Sequence, residues 1–279
     1  MADMKLFLGC TIPNRLPYLE DAARKVFNKL GIETSDAPFA CCPEPVGFHS
    51  IDHEAWLAMS ARNLSIAENE GKDIVSLCNG CYQTLAVANH ELKKNAAEKG
   101  KINKILSKVN KEYKGTSNVK HFVHVLHDNI PKIKSLITKP LNNLKVAIHA
   151  GCHYARPSEI LKSDDPLKPQ KQRDIIAATG ATIIDYDEEK LCCGNGAGYL
   201  NKETGNAVAK QKIESAKKAG ANCIVVNCPA CFQQLDTQRG LPIIYLTQLL
   251  ALAMGETFES LSMKYHITKK YNGFELKDI

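Results

Sequence analysis

The sequence of 279 residues has no long apolar segment. Its longest apolar stretch, residues 243–254, contains Thr247 and Gln248 and is shorter than the ~20 residues that a membrane span needs. The first residues do not resemble a signal peptide, because a charged start leads directly into a short predicted strand. We therefore expect a cytoplasmic protein with no membrane span.

The sequence is also poor in the features of nucleic-acid-binding proteins. Aromatic residues make up 6%, there is a single tryptophan, and no basic run is interleaved with aromatic residues. The net charge of +6 is modest, so we expect no nucleic-acid partner, although anionic small substrates are compatible with it. The 44% apolar and 24% charged residues are typical of a globular protein, and the length favours about two domains.

A dinucleotide fingerprint is missing as well. Gly194, Gly196 and Gly198 follow a pair of cysteines, and no acidic residue lies at the expected distance after them. We find no flavin or nicotinamide site. The odd total of eleven cysteines fits a disulfide framework poorly, and many cysteines in a reducing compartment indicate metal or redox chemistry instead.

Cysteine is what the chain has in excess, and its positions repeat. Ten cysteines form two sets of five, each with a lone cysteine, an adjacent pair, and a pair separated by two residues. In the first half 30 and 35 residues separate these groups, and in the second half 39 and 34. Such repetition indicates a duplicated domain. We call the two sets the N-terminal quintet (Cys10, Cys41, Cys42, Cys78 and Cys81) and the C-terminal quintet (Cys152, Cys192, Cys193, Cys228 and Cys231).

The cysteine groups follow segments that are predicted to be strands. Apolar runs at 5–8, 73–77, 144–150 and 223–227 precede cysteines, and helical patterns of ten or more residues separate these runs. This alternation favours parallel α/β layers in each half, with 140–143 between the halves. We also predict a strand at 119–126 and a glycine-rich turn at 194–198. Because ligands bind at the carboxyl ends of such strands, we expect the thiols on two sheet edges that face each other across a cleft.

Several kinds of site could use five thiols in each half. Structural zinc takes four ligands and would leave one cysteine over, and a redox dithiol at Cys78 and Cys81 would ignore three. An iron–sulfur assembly accounts for all five better, because a cubane uses four cysteines and a fifth can bind an extra iron. The spacing differs from that of bacterial ferredoxins. The eleventh cysteine, Cys223, lies in an apolar predicted strand and is interpreted as a small core residue.

The duplicated pattern resembles the cysteine-rich CCG-domain family. A chain with two copies and no ferredoxin segment is similar to the B subunits of heterodisulfide reductases, from Cys10 to Cys231. Related domains occur in glycolate, lactate, succinate and sulfur-oxidation enzymes. One departure is Pro43 in the first copy, where the second has Gly194, so we expect the backbones of the two loops to differ.

The resemblance implies an α/β fold of two pseudo-symmetric, Rossmann-like CCG domains, at 1–142 and 143–279, with parallel sheets and cluster sites in the cleft between them. It implies two non-cubane [4Fe-4S] clusters, one bound by each quintet. The activity that it implies is a disulfide oxidoreductase reaction, the two-electron cleavage of the mixed disulfide of coenzyme M and coenzyme B in methanogenesis. The disulfide would lie between the clusters, and no side chain would act as a nucleophile.

Seven further residues are candidate contacts of an anionic substrate. His153 directly follows a predicted ligand and is also a candidate proton donor, because histidine titrates near neutral pH. A histidine beside a ligand is more often an outer hydrogen-bond donor, and helical lysines are more often a solvated face. The glycines precede a predicted helix whose N-terminus could bind an anion. The other six candidates are His49, Arg156, Gly194, Gly196, Lys210 and Lys212.

Electrons are expected to reach the chain from partner proteins, because it offers no flavin or cubane site of its own. The resemblance implies the ferredoxin-like and the flavin-containing subunits of heterodisulfide reductase, with a hydrogenase or formate dehydrogenase behind them. The substrate would be a small-molecule disulfide. The alternative is an electron-transfer or scaffold component of another dehydrogenase or sulfur-metabolism complex, with the quintets as relays or as zinc sites.

Overall fold

Each half of the chain builds a parallel four-stranded sheet, and both sheets have the same strand order. In the computed structural model, which describes residues 3–45 and 47–279, the orders are β2-β1-β3-β4 and β6-β5-β7-β8. The central pairs are in register at Leu6 and Val75 and at Ala147 and Ile224. The strands are β1 (Met4–Phe7), β2 (Thr34–Ser35), β3 (Ile74–Ser76), β4 (Val119–His121), β5 (Lys145–His149), β6 (Thr182–Ile184), β7 (Cys223–Val226) and β8 (Ile243–Tyr245), with an antiparallel pair, β9 (Lys270–Tyr271) and β10 (Phe274–Glu275).

Helices connect the strands and cover both sheets. Short 3₁₀ segments lie at Asp187–Lys190, Met263–Tyr265 and Leu276–Asp278. None of the described helices combines the length and the apolar character that crossing a membrane requires. The α-helices are α1 (Thr11–Arg15), α2 (Pro17–Lys29), α3 (Gly47–Ile51), α4 (His53–Glu68), α5 (Asn79–Lys94), α6 (Ala96–Ser107), α7 (Phe122–His127), α8 (Ile130–Leu136), α9 (Cys152–Ala155), α10 (Ser158–Leu161), α11 (Lys171–Ala178), α12 (Asn195–Leu200), α13 (Lys202–Lys218), α14 (Pro229–Asp236) and α15 (Leu246–Ala253).

The two halves share a hydrophobic core. Strands β1 and β7 are buried along their whole length, as expected for parallel strands covered on both faces. Helix α2 begins with Pro17, which suits a first helical position, and presents a buried apolar face to α15 of the second half. The Lys29 ammonium donates to the Met254 carbonyl at 3.2 Å, so polar contacts also cross the interface.

The predicted fold class is confirmed: the molecule is α/β, with two repeated parallel-sheet domains. Two local predictions are wrong in part. The segment 119–126 is a strand only as far as His121, whose Nδ1 accepts the Val123 N–H and begins helix α7. The glycine-rich segment 194–198 forms most of helix α12 rather than an open turn. The boundary between residues 142 and 143 falls between α8 and β5 and stays a prediction.

The strand order places the lone cysteine of each half beside the cysteine pair that is separated by two residues. Strand β1 is followed along the chain by its neighbour on one side, β2, and the chain then crosses to β3 on its other side. The carboxyl ends of β1 and β3 therefore flank the point where the direction of winding reverses, which is where ligands bind in such sheets. Cys10 follows β1 and Cys78 follows β3, and the second half repeats this arrangement after β5 and β7.

Candidate metal centre lined by ten thiols

A cavity of about 210 Å³ lies between the two halves, and all ten cysteines of the two quintets line it. The halves also contribute matching neighbours. Thr11 and His153 each follow a lone cysteine, and Glu44 and Asn195 each lie two residues after an adjacent pair. The predicted cleft is therefore present, with the two sheet edges facing each other. Further lining residues are Leu8, Pro45, Asn79, Gly80, Gly196, Tyr199, Pro229 and Ala230.

Helix starts and glycines aim the thiols into this cavity. Cys10, Cys78 and Cys228 are the residues immediately before α1, α5 and α14, where backbone N–H groups point outward from the helix. Gly9 has a φ of +68°, and a Cβ at this position would lie 2.7 Å from the Cys81 Sγ. Glycine is thus required here both by the backbone conformation and by the close approach of a thiol.

Hydrogen bonds between thiols join the ten cysteines into one continuous row. The bonds within each quintet run from the lone cysteine through the adjacent pair to the pair at the helix start. A bond between Cys78 and Cys228 connects the two quintets across the interface. All eleven cysteines, each within the described ranges, are free thiols. The row runs Cys10, Cys41, Cys42, Cys81, Cys78, Cys228, Cys231, Cys193, Cys192, Cys152.

Three thiols of this row are stabilised as thiolates. Hydrogen bonds from Cys152 and Cys193, together with the Gly194 N–H at 3.3 Å, lower the pKa of Cys192 to about 2. Hydrogen bonds from neighbouring thiols likewise lower the pKa values of Cys42 and Cys228 well below the usual range. Because the thiolate is the form that binds metal, the cavity is prepared for cationic soft metals.

His149 lies beside the C-terminal quintet and was missed by the sequence analysis. It is the last residue of β5 and is 3% exposed, with its Nε2 3.3 Å from the Cys231 Sγ. Burial lowers the pKa of His149 to about 3, so the ring is neutral. One ligand atom each of His149, Cys193 and Cys231 lies within 4.8 Å of the others. Aligning the repeats could have found it, because His149 and Phe7 each lie three residues before a lone cysteine.

Hydrogen bonds between the two halves lie close to the thiols and hold the halves together there. The Asn79 amide, which lines the cavity from the first half, donates to the Ala150 carbonyl of the second half at 2.7 Å. The fully buried Tyr245 hydroxyl of the second half donates to the Leu77 carbonyl, directly before Cys78. These contacts fix the position of each quintet relative to the other.

The structure brings two of the seven other candidates to the cavity. His153 lines it, and its Nδ1 is paired with the Gln83 Oε1 of the first half. Gly196 also lines it, with nothing within 4 Å of the place where a Cβ would be. Gly194 has a φ of +88°, and a Cβ there would lie 2.1 Å from the Gly205 carbonyl oxygen, so this glycine serves the packing of α12 against α13.

The other four candidates lie away from the cavity. Arg156 lines a smaller cavity of about 140 Å³, which shares Cys152 and Cys192 with the first. Lys210 is exposed on α13, and His49 packs against Trp56 on the surface of the first half. Lys212 is fully buried, and burial lowers its pKa to about 8. Its ammonium donates to the Tyr186 hydroxyl and to two carbonyls of the segment Asp187–Lys190.

The donor set fits an iron–sulfur group. Ten soft cysteine sulfurs line one cavity, and backbone N–H groups donate to the sulfurs of Cys192, Cys193 and Cys228. Thiolate ligands favour iron–sulfur assemblies, and N–H donors to the sulfurs stabilise their negative charge. A lone tetrahedral zinc ion would use four of these ligands and leave six thiols on the same wall.

The sequence matches the model of the cysteine-rich CCG domain twice, at residues 4–86 and 146–236. The chain therefore belongs to the CCG cysteine-rich domain family, as the duplicated pattern predicted. Family membership and the donor set together indicate an iron–sulfur redox subunit.

Individual relatives sharpen this assignment. The chain is 38% identical to the B subunit of the ferredoxin/F(420)H(2)-dependent CoB-CoM heterodisulfide reductase of Methanosarcina acetivorans, over 95% of this chain and 93% of that protein. It is 30% identical to the membrane anchor subunit of the 8-methylmenaquinol:fumarate reductase of Wolinella succinogenes, over 95% and 96%. A crystal structure of a hypothetical protein from Helicobacter pylori has the same fold, with a TM-score of 0.78 and 16% identity over 98% of this chain and 53% of that chain.

Proposed function

We propose that the chain is the catalytic iron–sulfur subunit of a CoB–CoM heterodisulfide reductase. The observation that carries this proposal is that both quintets line one cavity between the halves, in which Cys78 and Cys228 are in contact. A disulfide bound there would have a thiol-bound metal group on each side. The similarity to the Methanosarcina protein, which spans nearly the whole chain, supports the substrate.

The proposed cofactors are two non-cubane [4Fe-4S] clusters, one in each quintet. Five thiols in each half exceed the four of an ordinary cubane, and the adjacent cysteines can reach different irons of one cluster. Such clusters, when bound, supply electrons one at a time.

The chain's own residues would enclose the disulfide and supply protons. Cleavage of one disulfide takes up two electrons and two protons and yields two thiols. His153 is the proposed proton donor, because the Gln83 Oε1 accepts from its Nδ1 and leaves Nε2 as the nitrogen that can exchange a proton in the cavity. Tyr199 lines the cavity although its side chain is 76% exposed, which places it at the mouth, where the substrate would enter.

The smaller cavity beside Cys152 and Cys192 is the proposed place for an anionic group of the substrate. Arg156 and Lys190 line it, and the Arg156 guanidinium donates to the Pro166 carbonyl at 3.1 Å. A substrate group that extends past the two shared cysteines would meet these cations. Electrons would come from the ferredoxin-like and the flavin-containing subunits of the reductase, with a hydrogenase or formate dehydrogenase behind them.

The test combines metal analysis with a substrate comparison. Anaerobically isolated protein is expected to hold about eight irons and eight sulfides per chain, from two [4Fe-4S] groups. With a reduced viologen as electron donor, it should cleave the CoM–CoB heterodisulfide faster than the CoM and CoB homodisulfides. Equal rates for all three disulfides would contradict the substrate, and zinc without sulfide would contradict the cofactor.

The second candidate function is electron transfer in another reductase complex. It is favoured by the Wolinella relative, which is named as part of a quinol:fumarate reductase and covers the same share of this chain. This function predicts the same iron and sulfide content but no disulfide cleavage by the loaded chain. The assay above therefore separates the two functions, because only the catalytic function predicts turnover.

A further inference from the structure

Three side chains on the surface of the first half form a group with ligand chemistry that the proposed function does not use. His49 lies on α3, His53 is the first residue of α4, and Glu91 lies on α5. The His53 Nε2 lies 3.0 Å from a Glu91 carboxylate oxygen. One ligand atom of each residue lies within 4.8 Å of the other two.

The backbone brings the two histidines together from different helices. Asp52 has φ −146° and ψ 90°, which interrupts the helical path between α3 and α4, and its side chain accepts the Ala55 N–H to cap α4. His49 and His53 are therefore not neighbours on one continuous helix. Their rings lie 5.0 Å apart at an angle of 86°.

Trp56 holds both imidazole rings in place. Its indole is 1% exposed, stacks on the His53 ring at 5.6 Å, and meets the His49 ring edge-on at 4.6 Å. A buried aromatic side chain beneath two ligands limits their rotamers, so less conformational entropy is lost when they bind an ion.

We propose that His49, His53 and Glu91 bind a divalent metal ion of the zinc class. Two imidazoles and one carboxylate form a ligand set that zinc uses, with a fourth position for water. Zinc at about 2.1 Å from each ligand atom separates the ligand atoms by about 3.4 Å, so small side-chain rotations close the site. The bound ion would connect α3 to α5. It would thereby attach the loop that follows Cys42 to the helix that begins after Cys78.

The second half has no equivalent of this site. At the same distances from the adjacent cysteine pair, Leu200 and Thr204 stand where the first half has His49 and His53. The ion would thus stabilise only one of the two cysteine loops, and its binding does not depend on the reaction that the ten thiols support.

The test measures zinc bound by the complete chain at equilibrium, in wild type and in variants. His49→Ala and Glu91→Gln are each expected to bind one zinc fewer per chain at micromolar free zinc, or to bind it at least ten-fold more weakly. The zinc bound at this site is the amount bound by wild type minus the amount bound by a site variant. Zinc bound by the cysteines is the same in both proteins and cancels in this difference. His127→Ala is the matched control, because the His127 Nε2 pairs with Asp174 at 3.1 Å, yet among the described residues this pair has no third ligand atom close enough to complete a metal site.

A second readout places the ion. Trp56 is the only tryptophan in the chain, so its emission reports on its surroundings alone. Added Ni²⁺ should quench this emission in wild type and in His127→Ala, and should not do so in His49→Ala or Glu91→Gln. Equal zinc binding in wild type and in both site variants, or equal quenching in all four proteins, would overturn the proposal.

Discussion

The two quintets have the same strand order and the same connections, yet their surroundings differ in hydrogen-bonding groups. Beside the N-terminal quintet stands Phe7, which is fully buried against Phe39 at 4.9 Å between ring centroids. Beside the C-terminal quintet stands His149, with its Nε2 at 3.3 Å from the Cys231 Sγ. The residues that line the cavity also differ in charge. The first half contributes the carboxylate of Glu44, and the second half contributes the neutral amide of Asn195.

This difference concerns charge. A metal-bound thiolate has no proton, so the His149 Nε2 must be the donor to the Cys231 sulfur when the site is loaded. N–H donors to cluster sulfurs stabilise the more negative, reduced state, and Phe7 offers none. The Glu44 carboxylate, which accepts the Phe48 N–H at 3.2 Å, adds negative charge on the N-terminal side. We therefore expect the C-terminal site to be the more easily reduced.

The largest effect is expected from removing one ligand in each quintet. Cys41→Ala and Cys192→Ala should each lose about half of the iron, roughly four of eight atoms, because each variant removes one of the five thiols that would bind one cluster. Iron and sulfide analysis of the isolated proteins measures this. Cys223→Ala is the control, since the Cys223 thiol is fully buried in β7 and lies outside the cavity. Complete loss of iron in either single variant would show that the quintets do not act as two separate sites.

The second effect is a shift of one reduction potential. The variant His149→Phe places in the second half the residue that the first half has at the equivalent position, which is Phe7. We expect the reduction potential of one of the two sites to fall by about 40 mV. This corresponds to about 1 kcal/mol of lost stabilisation of the reduced state, a typical net contribution of one hydrogen bond. A redox titration followed by electron paramagnetic resonance measures it. His149→Gln keeps an N–H donor and should shift the potential less; an unchanged or higher potential in His149→Phe would contradict the comparison.

The smallest effect is a change in the free energy of unfolding. It comes from the side chains that form hydrogen bonds to the loop of the adjacent cysteine pair in each half. In the first half the buried Asn63 amide donates to the Cys41 carbonyl at 3.0 Å, and in the second half the Lys212 ammonium binds the carbonyls of Glu188 and Glu189. Asn63→Ala and Lys212→Met should each lower the free energy of unfolding by about 2 kcal/mol, because each variant removes a buried donor from carbonyls that are partly buried.

Urea unfolding under anaerobic conditions checks this third prediction. Lys210→Met is the matched control for Lys212→Met, because Lys210 is exposed on the same helix and should change stability by less than about 0.5 kcal/mol. Equal changes in the two lysine variants would show that the contacts of Lys212 do not anchor the loop.

Much of the site could be predicted from the sequence because its signals are local. The repeated cysteine spacing identified both quintets, and apolar runs directly before them indicated that they follow strands. The misplaced end of the strand at 119–126 has a local cause as well, because the His121 side chain begins a helix within an apolar run where hydrophobicity does not separate strand from helix.

The lysines show where such reasoning stops. Lys210 and Lys212 lie two residues apart, on opposite faces of a helix. Nothing in the sequence indicates which of the two is buried. The structure exposes the first and buries the second against Tyr186. Which face of α13 turns inward depends on the elements packed against it, and those come from distant parts of the chain.

The sequence by itself determined that there are two sets of five thiols, and that each set follows the strands of a parallel sheet, because cysteine spacing and strand patterns are properties of short segments. Only the tertiary structure decided that the two sets line one cavity, that Cys78 meets Cys228, and that His149 lies against one set while Phe7 lies beside the other. The contacts of Cys78 with Cys228 and of His149 with Cys231 join residues more than seventy positions apart, so only the folding of distant segments onto each other creates them.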